Sequence, residues 1–196
     1  SFHKPGYVAG YHIFSDGATV VTQGNTVNVL QDKWSMELLG MLAEGARIGF
    51  WQKEIQTLES HLIGDPTYRL IPGGAGREGI KEAEALNKKL ALERENREAW
   101  LSYLQSDNPN YQAIAMKMLS YDPPANYPEL LLQALKESPY YSVRMQALQR
   151  IIYSSGKNLT EALLLGMNAP YELIRRNAAR FAGYSGDEQL IEPLVH

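Results

Sequence analysis

Three stretches of this chain align on one another: Tyr121-Asp-Pro-Pro-Ala-Asn-Tyr-Pro-Glu129, Tyr153-Ser-Ser-Gly-Lys-Asn-Leu-Thr-Glu161 and Tyr184-Ser-Gly-Asp-Glu-Gln-Leu-Ile-Glu192. In each copy a glutamate follows the tyrosine by eight positions, and the copies begin at 121, 153 and 184. A period of about thirty residues is typical of proteins built from stacked structural repeats.

Proline is a second marker of nearly the same period. Pro109, Pro139 and Pro170 recur at almost the same interval as the aligned tyrosines. The residues after Pro139 and Pro170 follow the spacing of a helix with one buried face. Apolar segments at 130–135 and 162–167 predict a further helix before each proline, so each unit is a helix, a short turn and a helix. The expected buried positions of the second helices are Val143, Ala147, Leu148 and Ile151, and Ile174, Ala178, Phe181 and Ala182.

The second helices carry a resemblance to a known repeat family. Ser142-Val-Arg-Met-Gln-Ala-Leu148 and Leu173-Ile-Arg-Arg-Asn-Ala-Ala179 resemble the Val-Arg…Ala pattern of HEAT repeats in their short form. The resemblance covers about 95–196 and implies an all-α solenoid, an α-α superhelix that binds protein or peptide partners on an extended surface.

Composition excludes several classes of protein. Hydrophobic residues make up 44% of the chain, which argues against disorder, and the net charge of -3 gives no general attraction to nucleic acid. The chain contains no apolar run of about eighteen residues, so the sequence predicts no membrane span. The chain has no cysteine, which excludes disulfides, cysteine-ligated metals and a cysteine nucleophile within it.

The first part of the chain has a different pattern. A strand is predicted at 18–22, helices at 33–44 and 48–62, and a second strand at 67–71. Two strands do not make a stable sheet, so we expect 1–71 to be an incomplete α/β domain. The missing initial Met, and an end in mid-repeat, are also what an excised fragment would have.

This region resembles the C-terminal third of gingipain-like cysteine peptidases, which have a caspase-like fold. The matching residues, within about 7–71, are Gly17-Ala-Thr-Val-Val-Thr-Gln-Gly-Asn25, Glu44-Gly-Ala-Arg-Ile-Gly49 and His61-Leu-Ile-Gly-Asp-Pro-Thr-Tyr-Arg-Leu70. The resemblance implies that the catalytic His and Cys lie upstream, so this chain holds no catalytic residue. It also implies that Gln23, Asn25 and Thr26 wall a substrate pocket, and it is compatible with a secreted or cell-envelope protein.

A glycine-rich stretch divides the two parts. Four glycines and a proline at 72–79 predict a flexible linker, with the repeats occupying 80–196. The same glycines lack the ending of a phosphate-binding loop. His3, His12, His61 and His196 are not at metal-ligand spacing, so we expect no cofactor and no metal. Asp65 precedes a proline and is expected to cap a turn.

Six side chains of the repeats are candidates for partner binding. Arginines at the start of the second helices either bond the turns of the repeats or form a basic strip that meets an acidic partner. Tyrosines beside the turn prolines either anchor a partner or pack between repeats. Interleaved glutamates argue against nucleic acid. The candidates are Tyr140, Tyr141, Arg144, Tyr171, Arg175 and Arg176.

Two functions are therefore open. The chain is either a fragment of a gingipain-like peptidase or a relative, with repeats that bind a protein partner, or a non-enzymatic HEAT-repeat adaptor with a degenerate α/β appendage. No nucleophile and base can be assembled from its own residues, so catalysis within this chain is not expected.

Overall fold

The computed structural model describes residues 6–25, 38–55, 60–71, 76–154 and 156–195. These residues are mostly helical, with one two-stranded sheet. The chain divides into two compact units, Ser1–Glu93 and Arg94–His196. No helix in the described ranges is long and apolar enough to cross a membrane.

The first unit contains both strands. Its sheet pairs β1 with β2 in antiparallel fashion, with Gln23 opposite Leu62 and Gly24 opposite His61. Its buried apolar side chains include Met41, Trp51 and Leu86. The elements are α1 Val8–Phe14, β1 Val21–Asn25, α2 Leu39–Ala43, α3 Ile48–Glu54, β2 Ser60–Gly64 and α4 Gly76–Leu92.

Several predicted elements of this unit differ from the structure. The predicted strand at 67–71 is wrong, because the Thr67 amide donates to the Asp65 carboxylate at 2.8 Å and closes a turn there. This turn confirms the role predicted for Asp65. The helix predicted at 48–62 is wrong beyond Glu54, since 60–64 form β2; 56–59 lie outside the described residues. The first strand is Val21–Asn25 rather than 18–22. Of the helix predicted at 33–44, Leu39–Ala43 is helical, and 33–37 lie outside the described residues.

Helix α4 belongs to the first unit, and the division between the units falls at 93/94 rather than in the predicted linker at 72–79. Residues 76–79 are the first residues of α4, and 72–75 lie outside the described residues. Asn87 of α4 accepts a hydrogen bond from the Arg47 amide at 2.8 Å and donates one to the Gly45 carbonyl oxygen at 2.9 Å. These bonds attach α4 to the segment between α2 and α3.

The second unit contains three successive helical pairs. Within it, α8 contacts α6 on one side and α10 on the other. Pro109 is the first residue of α6, whereas Pro139 and Pro170 each stand two residues before α8 and α10. The helices predicted after Pro139 and Pro170 are thus confirmed. The elements are α5 Arg97–Leu104, α6 Pro109–Leu119, α7 Tyr127–Glu137, α8 Tyr141–Ser154, α9 Leu159–Met167, α10 Glu172–Ser185, a 3-10 turn Glu188–Leu190 and α11 Ile191–Val195.

The buried residues of this unit recur with the period of the sequence. On the second helix of each pair a fully buried alanine stands six positions before the aligned tyrosine of its copy: Ala115, Ala147 and Ala178. On the first helices, Trp100, Leu131 and Leu163 are buried and recur at nearly the same interval. These positions therefore have the same burial in each pair. Phe181, which was predicted to be buried, is instead half-exposed.

Candidate functional site

The turns between the paired helices are closed by one recurring hydrogen bond. In each pair, a side chain near the start of the second helix donates to the carbonyl oxygen six residues before it. Gln112 donates to Ser106 at 2.6 Å, Arg144 to Ser138 at 2.5 Å, and Arg175 to Ala169 at 2.7 Å. Each donor stands nine positions before the aligned tyrosine of its copy, so the bond follows the period of the sequence. We call this contact the turn latch.

Two of the candidate arginines are donors of the turn latch. Arg144 and Arg175 bond their own turns, and Arg175 also donates to the Pro170 carbonyl oxygen at 2.8 Å. Both guanidinium groups therefore have a structural role as latch donors. Arg176 points elsewhere: its exposed side chain pairs with Glu172 at 3.2 Å, one turn back on α10.

The three candidate tyrosines lie at these turns and are half-exposed. The rings of Tyr141 and Tyr171 stack with their centroids 4.9 Å apart and an angle of 12° between planes, which joins the turns of the second and third pairs. The Tyr140 hydroxyl donates to the Asp107 carbonyl oxygen at 3.5 Å, which joins the turns of the first and second pairs. Each ring keeps about two fifths or more of its surface exposed, so it can also contact a partner.

In the first unit, two of the three predicted pocket-wall residues line one cleft. Gln23 and Asn25 of β1 lie beside Tyr7 and His12 in an open cleft of about 330 Å³. Thr26 lies outside the described residues. Gln23 is held in place because its Nε2 donates to Ser60 Oγ of β2 at 2.6 Å. Sequence reasoning missed His12, which α1 brings to the cleft by packing on β1.

Besides the tyrosines at the turns, the repeats expose a second set of tyrosines that sequence reasoning did not identify as candidates for binding. The tyrosines that define the period are exposed and each has a cation against its ring. Arg94 Cζ lies 3.9 Å from the ring centroid of Tyr121, and Arg150 Cζ lies 4.9 Å from that of Tyr153. Arg180 Cζ lies 6.0 Å from that of Tyr184. The sequence contains a signal for these contacts, because a basic residue stands three or four positions before each tyrosine. These residues are Lys117, Arg150 and Arg180.

Electrostatic contacts hold the loops between successive pairs. The Lys157 ammonium lies 2.5 Å from the Glu129 carboxylate and lowers its pKa. The Thr160 hydroxyl and the Gln189 amide donate to Asp187 and lower the pKa of that carboxyl. Both carboxyl groups are therefore charged at neutral pH.

No protein-family model, curated protein or solved structure matches this chain.

Proposed function

We propose that residues 94–196 form a HEAT-like helical repeat array that binds a protein partner. The observation that carries this proposal is the turn latch, because one bond recurs in three turns at the interval of the aligned tyrosines. A shared period of sequence, burial and hydrogen bonding is what stacking of equivalent units produces. Stacked pairs of this kind supply an extended surface for binding and no catalytic group of their own.

The distribution of charge indicates which helices face the partner. The second helices carry six basic residues and one acidic residue, whereas the first helices α5, α7 and α9 carry two basic and four acidic residues. Of these basic side chains, Arg175, Arg176 and Arg180 of α10 are exposed, whereas Arg150 is buried. The exposed positive charge of α10 favours an acidic partner. The charges of the second helices are Lys117, Arg144, Arg150, Arg175, Arg176 and Arg180, with Glu172.

Site-specific photocrosslinking tests the binding function. Benzoylphenylalanine is introduced in place of Tyr171, the residue before α10, or of Tyr184, near the end of α10. It is also introduced in place of Glu137, an exposed residue at the end of a first helix. We expect crosslinks to one discrete protein from the two tyrosine positions and none from Glu137. Equal crosslinking at all three positions, or none at any, would contradict the proposal.

A second proposal concerns residues 1–93, as a relative of the C-terminal part of gingipain-like cysteine peptidases. It is supported by the cleft at Gln23 and Asn25, which is where the resemblance implies a wall of the substrate pocket. The test is the gene's upstream sequence: a His-Gly and a Cys at the ends of consecutive strands favour a peptidase, in which the imidazole activates the sulfur. Their absence favours the non-enzymatic adaptor.

A further inference from the structure

A second cleft lies between the second and third helical pairs. It has a volume of about 320 Å³ and is bordered by the ends of α8 and α10 and the start of α9. Its walls are mainly apolar and aromatic, and include Ile152, Leu159 and Phe181. The remaining lining residues are Tyr153, Tyr184 and Ser185. This size suits one or two apolar side chains.

The two tyrosines of this cleft are unusually exposed for large aromatic residues. Tyr153 is 57% exposed and Tyr184 is 73% exposed. The Tyr184 ring meets Phe181 edge to face, with centroids 6.2 Å apart. Exposed aromatic rings beside a concave pocket can pack against an apolar side chain of a ligand.

One exposed cation stands at the cleft, since Arg180 lies beside the Tyr184 ring. Arg150, which lies over the Tyr153 ring, is buried. Arg180 is exposed and makes no ion pair with a carboxylate among the described residues. The next acidic residue along the chain, Asp187, already accepts one hydrogen bond on each of its oxygens. The donors of Arg180 can therefore serve a carboxylate from outside the chain.

We propose that this cleft binds an acidic peptide segment of a protein partner, with one apolar side chain between Tyr153 and Tyr184 and a neighbouring carboxylate on Arg180. This inference rests on the proposed binding function and adds the location of the site and the chemistry of the ligand. The exposed arginines of α10 complement an acidic segment. A peptide fits better than a nucleic acid, because Ile152 and Leu159 supply apolar walls.

Fluorescence anisotropy with defined peptides tests the proposal on the full chain. The probe is a labelled peptide with one Phe flanked by glutamates. One control peptide has Gln in place of every Glu, and another has Ser in place of Phe. We expect both controls to bind at least about tenfold more weakly, and added salt to weaken the acidic probe most. Equal binding of the acidic and the Gln peptides would overturn the proposal. So would tighter binding of a single-stranded oligonucleotide than of the probe.

Variants then locate the site. Arg180→Glu and Tyr184→Ala change exposed side chains and should leave the fold intact, as circular dichroism can verify. We expect each to weaken binding of the probe by about fivefold or more. Lys88→Glu makes the same change of charge on an exposed side chain of α4 and should leave binding unchanged. Unchanged binding by Arg180→Glu and Tyr184→Ala would overturn the proposal.

Failure of this site is distinguishable from failure of the binding function. If the protein crosslinked at Tyr171 is bound equally by wild type and by Arg180→Glu, the repeats bind a partner and the cleft is not its site. If no protein is crosslinked and no peptide binds, both proposals fail.

Discussion

At the scale of single residues, Arg175 and Arg176 are neighbours on α10 with different surroundings. Arg175 is a latch donor to two carbonyl oxygens, while Arg176 makes an exposed ion pair with Glu172. A hydrogen bond from a charged donor to carbonyl oxygens of a turn stabilises more than a solvated ion pair within one helix. The two arginines, which are alike in sequence, are therefore expected to differ in their contribution to stability.

Arg175→Ala should lower the free energy of unfolding by about 1 kcal/mol, and Arg176→Ala by less than about 0.5 kcal/mol. Arg175→Lys should retain part of this stabilisation, because both bonds come from one nitrogen, Nη1, and an ammonium also has several donors. Urea denaturation of the three variants measures this. Equal losses at 175 and 176 would show that the turn latch does not stabilise the fold.

Two glycines inside helices of this unit also have different surroundings. A Cβ at Gly166 of α9 would lie 2.7 Å from the Cβ of Ala178 and 3.5 Å from Leu148 Cδ2, whereas a Cβ at Gly183 of α10 would have no atom within 4 Å. Gly183→Ala should stabilise by about 0.5–1 kcal/mol through helix propensity. Gly166→Ala should destabilise, since overpacking costs about 1–3 kcal/mol. Thermal melts compare the pair, and stabilisation by both substitutions would mean that α9 and α10 are not in close contact at Gly166.

Asp187 gives the repeats a dependence on pH. The hydrogen bonds from Thr160 and from the Gln189 amide hold its pKa below the ordinary value of 3.8. A carboxyl whose pKa is lower in the folded state stabilises above its unfolded pKa, and this stabilisation is lost as the pH falls through the folded value. Wild type should therefore be more stable than Asp187→Asn at neutral pH, and the difference should shrink below pH 3.8. Denaturation curves across this range test it, and a difference that does not vary with pH would refute the explanation.

At the scale of elements, the sequence predicts the helices of the second unit well and the strands of the first unit poorly. Helices such as α8 and α10 are encoded locally, because their buried residues recur every three or four positions. Strand β2 is not encoded locally. The apolar spacing of Ile48, Trp51 and Ile55 continues to Leu62, so the periodicity predicts a helix that is too long. The pairing with β1, supported by the bond from Gln23 to Ser60 across 37 residues, ends the helical pattern earlier. Local spacing contains no information about that partner.

The same limit applies to the candidate sites. The latch arginines could be placed at the turns from sequence, since their spacing to the prolines is regular. The repeat period does not encode the direction of each side chain. The sequence therefore does not show that Arg144 and Arg175 bond carbonyl oxygens, whereas Arg180 has no carboxylate partner among the described residues.

A substitution at Asn87 tests how α4 is attached to the first unit. Its buried amide bonds the Arg47 amide, the Gly45 carbonyl oxygen and the Ala83 carbonyl oxygen. Asn87→Ala leaves buried backbone groups unpaired, so we expect a loss of about 2–3 kcal/mol, together with faster hydrogen exchange at the Arg47 amide. Lys88→Ala on the exposed side of α4 is the control and should cost little. Unchanged exchange at Arg47 in Asn87→Ala would contradict this attachment.

At the scale of the whole molecule, the two compact units and the glycine-rich stretch imply different boundaries. Composition favours a division at 72–79, because glycine and proline are concentrated there. Contacts favour 93/94, because α4 bonds the segment at Gly45 and Arg47. Glycines beside a helix start can equally be the end of a loop within one unit, so composition alone does not distinguish the two boundaries.

Two fragments decide between these boundaries. If the division lies at 93/94, residues 94–196 should unfold cooperatively by themselves, and extension to 80–196 should add less than about 1 kcal/mol, since the residues added from α4 leave their partners at Gly45 and Arg47 behind. Trp100 reports on folding in both fragments, because it is the one tryptophan in 80–196 and is fully buried. We expect blue-shifted emission and the same urea midpoint for both. A fragment 94–196 with red-shifted emission, beside a stable fragment 80–196, would show that α4 belongs with the helical pairs and that the boundary lies at the glycines.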